Sequence, residues 1–434
     1  MTGAELVLAA VGDLVLDDRI TPVVEAQAPA LVSALRRADT TIGNFETTAI
    51  DFDTFTGWPE AEPGGSWLVS SPSSVDDLRD LGIDMVSRAN NHATDWGVAG
   101  LLSTSRALDS CGIVHAGAGR TLTGAREPAY RTTRAGRVAL VSAATRYQPM
   151  SRASDPMGPV PGRPGINGIR TRKVFRVPPA DMRAVRAIHA AQRPESLHPA
   201  TEAADARNGT TTIGDTTFLE SDGLPGPDWS LHEDDVHRFR VDVRQAAQTA
   251  DVVAVALHTH EPGNWSDRPP RFLEELAHLA IDEGADLILG HGPHRVRGIE
   301  IYRSRPVFYS LGNFAFLQNR QFPLTPETWQ RQGASPETHT TAEVLELKRT
   351  RGVFAKRVWF ESFVPEIRFV DGVPTHVSIT PIDLTYDADP VGNRGIPRLC
   401  EPGHAGRVLH ELHALSRAYG TDLKASDGTA SIEI

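Results

Sequence analysis

Apolar residues run in short unbroken blocks through the first three quarters of the chain. The clearest are LVLAAV (6–11), VALVSAA (138–144), VVAVAL (252–257) and LIL (287–289). Such blocks are too short for helices and do not alternate, so they predict strands buried on both faces. Further strands are expected at 40–48 and 85–87. Helical spacing falls at 29–39, 98–111, 233–249, 270–283 and 404–418, and in the stretch after Ser73 or Ser74, either of which suits an N-cap. A polar, Gly- and Pro-rich loop fills 51–66. Strands alternating with helices predict α/β layers. Residues 146–232 break the rhythm: they are rich in Pro, Gly, Arg and Thr, hold one helical stretch at 181–192, and read as an insertion. From about residue 340 apolar and polar positions alternate in strand fashion. The expected organisation is a catalytic domain over 1–335 and a β-rich C-terminal extension over 336–434 packed on it.

Composition narrows the function. The 434 residues are 40% hydrophobic and 23% charged, enough for a large core. A net charge of −11 argues against a nucleic-acid partner, which a basic surface would serve better. The two cysteines, Cys111 and Cys400, have no metal-site spacing and fit a reducing compartment. The apolar N-terminal run lacks a basic leader and meets Asp13 within a few residues. No stretch reaches eighteen apolar residues, so a cytoplasmic protein without a membrane anchor is expected.

Chemistry-bearing groups gather where strands end: Asp13, Asn44 with Glu46, Asn90-Asn91-His92, His258 with His260, and His291 with His294. Loops at strand C-termini are where α/β layers place function. Carboxylate and imidazole together suit Mn, Fe or Zn, whereas Ca and Mg prefer oxygen. Gly292 and Pro293 would fix the turn that aims the last two imidazoles. His260 is expected to support His258 or line the pocket rather than to ligate.

VGDLVLDD (11–18), GNFET (43–47), RANNHATDWG (88–97), VVAVALHTHEP (252–262), GADLILGHGPHRVRGIEIY (284–302) and FYSLGNF (308–314) resemble, in this order, the motifs of the CapA family. These capsule and poly-γ-glutamate biosynthesis proteins have a calcineurin-like metallophosphatase fold, so the resemblance implies an α/β/β/α sandwich. It further implies two divalent ions. Asp13 would be the first metal aspartate, Glu46 the bridging acid, Asn91 the amide ligand, and His258, His291 and His294 the imidazole ligands. His92 would protonate a leaving group, and Asp95 is a candidate to orient it. Two departures stand out. Val15 replaces the histidine usual in metallophosphatases, and His-Thr-His-Glu-Pro replaces the family's His-Trp-Gly-x-Glu at the His258 strand end.

Asn44, Asn90, His260 and Asn313 are expected around the ligands. Arg146, Arg295 and Arg297 are candidates for an anionic substrate, small or polymeric, as is the basic run from Arg163 to Arg176. Three functions remain open: hydrolysis or acyl transfer at a γ-glutamyl-type amide through a metal-bound hydroxide, phosphoester hydrolysis by the same means, or a non-catalytic part of polymer assembly.

Overall fold

The unbroken apolar runs form the central strands of two sheets. The computed structural model describes residues 5–61, 66–192, 199–317, 323–388 and 391–434. In the first sheet β1 (Glu5–Val15), β2 (Thr40–Phe45), β3 (Met85–Ser87) and β4 (Val114–Ala116) are parallel neighbours. The second contains β5 (Ala129–Thr132), β6 (Arg137–Ala144), β7 (Val252–His258), β8 (Leu287–His291), β9 (Ile299–Tyr302) and β10 (Arg305–Phe308). Its order is β9-β10-β8-β7-β6-β5, with β6, β7, β8 and β10 parallel. β11 (Asn313–Phe316) returns to the first sheet and runs parallel to β1.

The alternation of β1 side chains builds the layers. Leu6, Leu8 and Ala10 join Leu140, Ala254, Ala256 and Leu289 of the second sheet in one core. Ala9 and Val11 face the other way, against Leu31, Val32 and Leu35 of the helix Pro29–Arg37 and Leu78 and Leu81 of the helix Ser73–Leu81. Both faces are therefore dry, which is why the run contains no polar residue before Asp13. Each such leucine contributes roughly 1.5–3 kcal/mol by burial. Crossover helices Glu233–Ala247 and Arg271–Asp282 bury Phe239, Val243, Ala277 and Ala280 beside the second sheet's connections. The result is the expected α/β/β/α sandwich. The helix after Pro72 differs in one detail: no side chain caps it, and Ser74 Oγ donates instead to the Ser71 carbonyl.

The C-terminal strands are not an added layer. β12 (Glu361–Val370) pairs antiparallel with β1, from Glu5↔Val370 to Ala9↔Glu366. β13 (Val373–Asp383) pairs with β12, and Thr429–Glu433 with β13, so the tail completes the first sheet. Its alternating pattern arises because these strands lie outward of β1 in the sheet. Before them, Thr341–Arg351 is a helix rather than a strand, started by a capping box between Thr340 and Glu343.

The chain divides into two units, and residue 335 is not a boundary of either. One unit comprises residues 1–168, 238–269 and 277–434; the other comprises 169–237 and 270–276. The expected insertion is thus shorter than 146–232, because Ala144 N bonds the Asn167 carbonyl and Asn167 Nδ2 bonds the Ser142 carbonyl, tying 146–168 to the larger unit. The insertion also holds more regular structure than the one helix expected. Thr171–Val177, Thr210–Ile213, Thr216–Glu220 and Gly226–Leu231 form a sheet of their own, with helices Pro179–Ala190 and Pro199–Asn208. Among the described residues no helix is long and apolar enough to cross a membrane.

Candidate metal centre

Strand register brings the polar residues together. Asp13 lies between Asn44 of β2 and Asn313 of β11, its direct neighbours in the sheet. His258 and His291 are the last residues of β7 and β8 and stand side by side. Glu46 follows β2, and Asn90, Asn91 and His92 follow β3. Gly12 permits the close crossing at Asp13, since a Cβ there would sit 2.1 Å from the Gly312 carbonyl oxygen. At the turn after β8, Gly292 has φ +108°, and a Cβ would lie 2.6 Å from Thr259 O. That turn points Gly292 N at Asp13 Oδ2, 3.2 Å away, and carries His294 at φ +62°.

Asp13 and Glu46 are fully buried, as are His258, His291 and His294 to within 2%. His291 Nδ1 lies 3.3 Å from Asp13 Oδ1, and His294 Nδ1 3.3 Å from Asp13 Oδ2. Glu46 Oε1 is 3.7 Å from His258 Nε2, 3.9 Å from His260 Nε2 and 3.8 Å from His294 Nε2. Asn91 Oδ1 sits 2.8 Å from His258 Nε2 and 3.1 Å from His260 Nε2. Around these, Asn44 Nδ2 donates to Asp13 Oδ1 at 2.9 Å, and Asn90 Nδ2 donates to Asn44 Oδ1 at 3.3 Å and to the Phe45 carbonyl. Asn313 Nδ2 donates to the His294 and Trp359 carbonyls, so its Oδ1 accepts from His294 Nδ1 at 3.0 Å. His294 is thereby left with Nε2 as its lone pair, facing Glu46.

The cluster is short of positive charge. Neither oxygen of Glu46 nor either nitrogen of His291 has a hydrogen-bond partner among the described residues. Burial, followed by the charges of Asp13 and Asp95, pushes the Glu46 carboxyl well above its usual range. Burial also raises Asp13, but His291 and His294 outweigh it and hold that carboxyl well below its usual range. His258 is pushed well down and His260 down to about 3, burial being the larger cause in each. Lone pairs converge here with few protons between them, the arrangement a cation would satisfy. Two sets, Asp13–Glu46–His258 and Glu46–His260–His294, bring their donor atoms within 4.8 Å of one another. The donor types fit the divalent ions expected.

His92 stands at the rim, 9% exposed. Its Nδ1 is 2.7 Å from Asp95 Oδ2, which also accepts from Leu68 N at 2.8 Å. Asp95 therefore orients His92 rather than capping the helix Gly97–Ser110, whose N-cap is Trp96. Burial raises the Asp95 carboxyl; His92 and Leu68 N offset only part of this.

Of the three arginines named as anion candidates, two are engaged by backbone carbonyls. Arg297, fully buried, gives Nη2 to the Glu261 carbonyl at 2.9 Å and Nε to that of Ser266 at 3.2 Å. Arg295 bonds the Trp265 carbonyl at 2.8 Å and reaches Glu411. Both clamp the loop after β7. Arg146 is exposed and follows Thr145, whose N donates to the His258 carbonyl at 3.0 Å. Within the smaller unit, Arg170 pairs with Asp235 and Arg176 with Asp228. β7 ends at His258, and beyond it the chain turns so that His260 Nε2 lies 3.1 Å from His258 Nε2, in the cluster. Asn264, whose Oδ1 is 2.8 Å from His260 Nδ1, escaped the sequence reading, and only its i+4 spacing from a histidine signals it.

A two-sheet sandwich with a buried carboxylate–imidazole cluster at its strand C-termini defines a layered α/β protein with side-chain groups that could hold a metal ion. The chain belongs to the bacterial capsule synthesis protein family PGA_cap, which matches residues 7–318. It is 37% identical over 437 residues to the uncharacterized protein y4sH of Sinorhizobium fredii, covering 98% of this chain and 93% of that one. It is 24% identical to the PGA biosynthesis protein CapA of Bacillus subtilis, over 71% of this chain and 62% of the relative. To the capsule biosynthesis protein CapA of Bacillus anthracis it is 22% identical, over 72% and 60% respectively.

Proposed function

We propose that this protein is a divalent-metal-dependent enzyme that hydrolyses, or transfers the acyl group of, a γ-glutamyl-type amide or a related anionic substrate. The observation that carries this reading is Glu46, a fully buried carboxylate with neither oxygen bonded, facing three imidazole nitrogens at 3.7–3.9 Å. Asp13, Glu46, Asn91, His258, His291 and His294 would hold two ions of Mn, Fe or Zn. Such ions supply Lewis acidity toward an acyl or phosphoryl oxygen and lower the pKa of water.

The side chains do the rest. Asp95 fixes the ring of His92 through Nδ1, which leaves Nε2 to hold or give up a proton at the leaving group. Leu68 N holds Asp95 in turn, so the pair is set before substrate arrives. Asn44 and Asn313 keep Asp13 and His294 in place through their amides. The names of the Bacillus relatives favour an amide of the polyglutamate type over a phosphoester.

The test is a paired substrate screen with γ-glutamyl amides and phosphomonoesters, using metal-loaded wild type and His92→Ala. Turnover of amides that falls at least about a hundredfold in the variant supports the reading. Phosphoester turnover alone would replace it with a phosphoesterase. No turnover of either class by fully loaded protein would leave the assembly role.

A further inference from the structure

We infer that His260 is a metal ligand, joining Glu46 and His294 around one ion, and that this makes one of the two positions nitrogen-rich and selective for zinc, iron or cobalt. The inference rests on the metal-binding reading above and adds a residue and a selectivity to it.

The geometry is specific. The Asn264 carboxamide oxygen accepts from His260 Nδ1 at 2.8 Å, which leaves Nε2 without a proton in the neutral ring. That lone pair meets Asn91 Oδ1 at 3.1 Å, His258 Nε2 at 3.1 Å and Glu46 Oε1 at 3.9 Å. Asn44 Nδ2 lies 3.2 Å from His258 Nδ1, so the single proton of that ring sits on Nε2, against Asn91 Oδ1 at 2.8 Å, and cannot serve them all. His294 is prepared in the same way: Asn313 takes its Nδ1 proton, and Nε2 faces the same Glu46 oxygen from 3.8 Å. Two imidazoles on different loops, each with an asparagine behind it, thus aim at one carboxylate oxygen. An outer-shell acceptor on the far nitrogen is the usual companion of a metal-bound histidine.

The loop carrying His260 is held firmly enough to aim it. Thr259 Oγ1 donates to Glu261 Oε2 at 2.6 Å, buried Arg297 holds the carbonyls of Glu261 and Ser266, and Arg295 holds that of Trp265. The two positions then differ in donors. Glu46–His260–His294 offers two nitrogens and one oxygen, whereas Asp13–Glu46–His258, with His291 beside Asp13, carries a second carboxylate. Imidazole-rich sets favour zinc, iron and cobalt over magnesium.

The experiment is a cobalt(II) titration of chelator-treated full-length protein. Bound metal is read by equilibrium dialysis and coordination by visible ligand-field absorption, for wild type, His260→Ala and Asn264→Ala. The expected result for His260→Ala is one equivalent weakened at least tenfold with a changed spectrum, the other equivalent retained, and circular dichroism unaltered. Asn264→Ala should keep both equivalents with one weakened roughly 10–100-fold. A large excess of magnesium should leave that equivalent bound in the wild type. If His260→Ala binds both ions with wild-type affinity and spectrum, His260 is not a ligand, although the metal reading survives. Displacement by magnesium overturns the selectivity, and an unchanged Asn264→Ala overturns the orienting role. Wild type that binds no cobalt fails the metal reading itself.

Discussion

Glu46→Gln should stabilise the metal-free protein and destabilise the metal-loaded one. The carboxyl is fully buried, neither oxygen has a partner, and burial and Asp13 raise its pKa well above 4.5. A raised folded pKa means that the group's contribution is fully favourable below pH 4.5 and is lost as pH climbs toward the folded value. The interval from 4.5 to 7, at about 1.4 kcal/mol per pH unit, sets a ceiling of about 3 kcal/mol on the penalty at pH 7. Glutamine keeps the volume and cannot ionise, but its buried amide returns about 1–2 kcal/mol of that as unsatisfied donors and acceptors. The net gain in chelator is therefore at most about 1–2 kcal/mol at pH 7, and at pH 5, where the penalty is below about 1 kcal/mol, the variant is no more stable than wild type. With a divalent ion at a hundred times its dissociation constant, wild type recovers about 2.7 kcal/mol that the variant loses in part, and the order reverses. Urea unfolding at the two pH values, with chelator and with cobalt, measures all four cases. Equal stability of the two proteins in chelator at pH 7 would refute the claim that this carboxylate is stranded without a cation.

Other expectations follow from the same geometry. Gly292→Ala places a Cβ 2.6 Å from Thr259 O at φ +108°, so it should cost about 1–3 kcal/mol in thermal or denaturant unfolding and lower metal content. Asp95→Asn removes the charge that holds His92, and should slow turnover of whichever substrate the screen identifies by roughly 10–100-fold at unchanged metal stoichiometry. His115, pushed down to about 4 by burial and the neighbouring Arg88, is a depressed histidine. It contributes stability that is present above pH 6.5 and lost as pH falls toward 4, by at most about 3 kcal/mol. Unfolding of His115→Asn across that range should show a flatter pH profile than wild type.

The parts of this protein that the chain discloses are those whose burial is symmetrical. β1, β7 and β8 are dry on both faces, so they read as apolar blocks, and Asp13, His258 and His291 stand out as the polar residues on which those blocks end. Asn313 was findable through FYSLGNF, although its register with Asp13 depends on β11 returning to the first sheet, a long-range pairing without a local signature. The same holds for β12, whose alternation marks a strand of the β-rich extension but not its pairing with β1. Half-exposed strands such as Thr171–Val177 carry Arg172 and Arg176 on the face of buried Val174 and Lys173 on the other, so no apolar alternation marks them. Arg295 and Arg297 look like anion contacts by proximity to His294; in the fold their guanidiniums point at backbone carbonyls. The approach of His260 to His258 has no signature in the chain, because residue type and spacing do not say how it turns after β7.

The most direct test of the central claim is metal content by elemental analysis of protein purified without chelator, wild type beside His291→Ala. Close to two divalent ions per chain in wild type, with clear loss in the variant, is the predicted result. Protein without stoichiometric metal, even after Mn, Fe and Zn are offered, would contradict it.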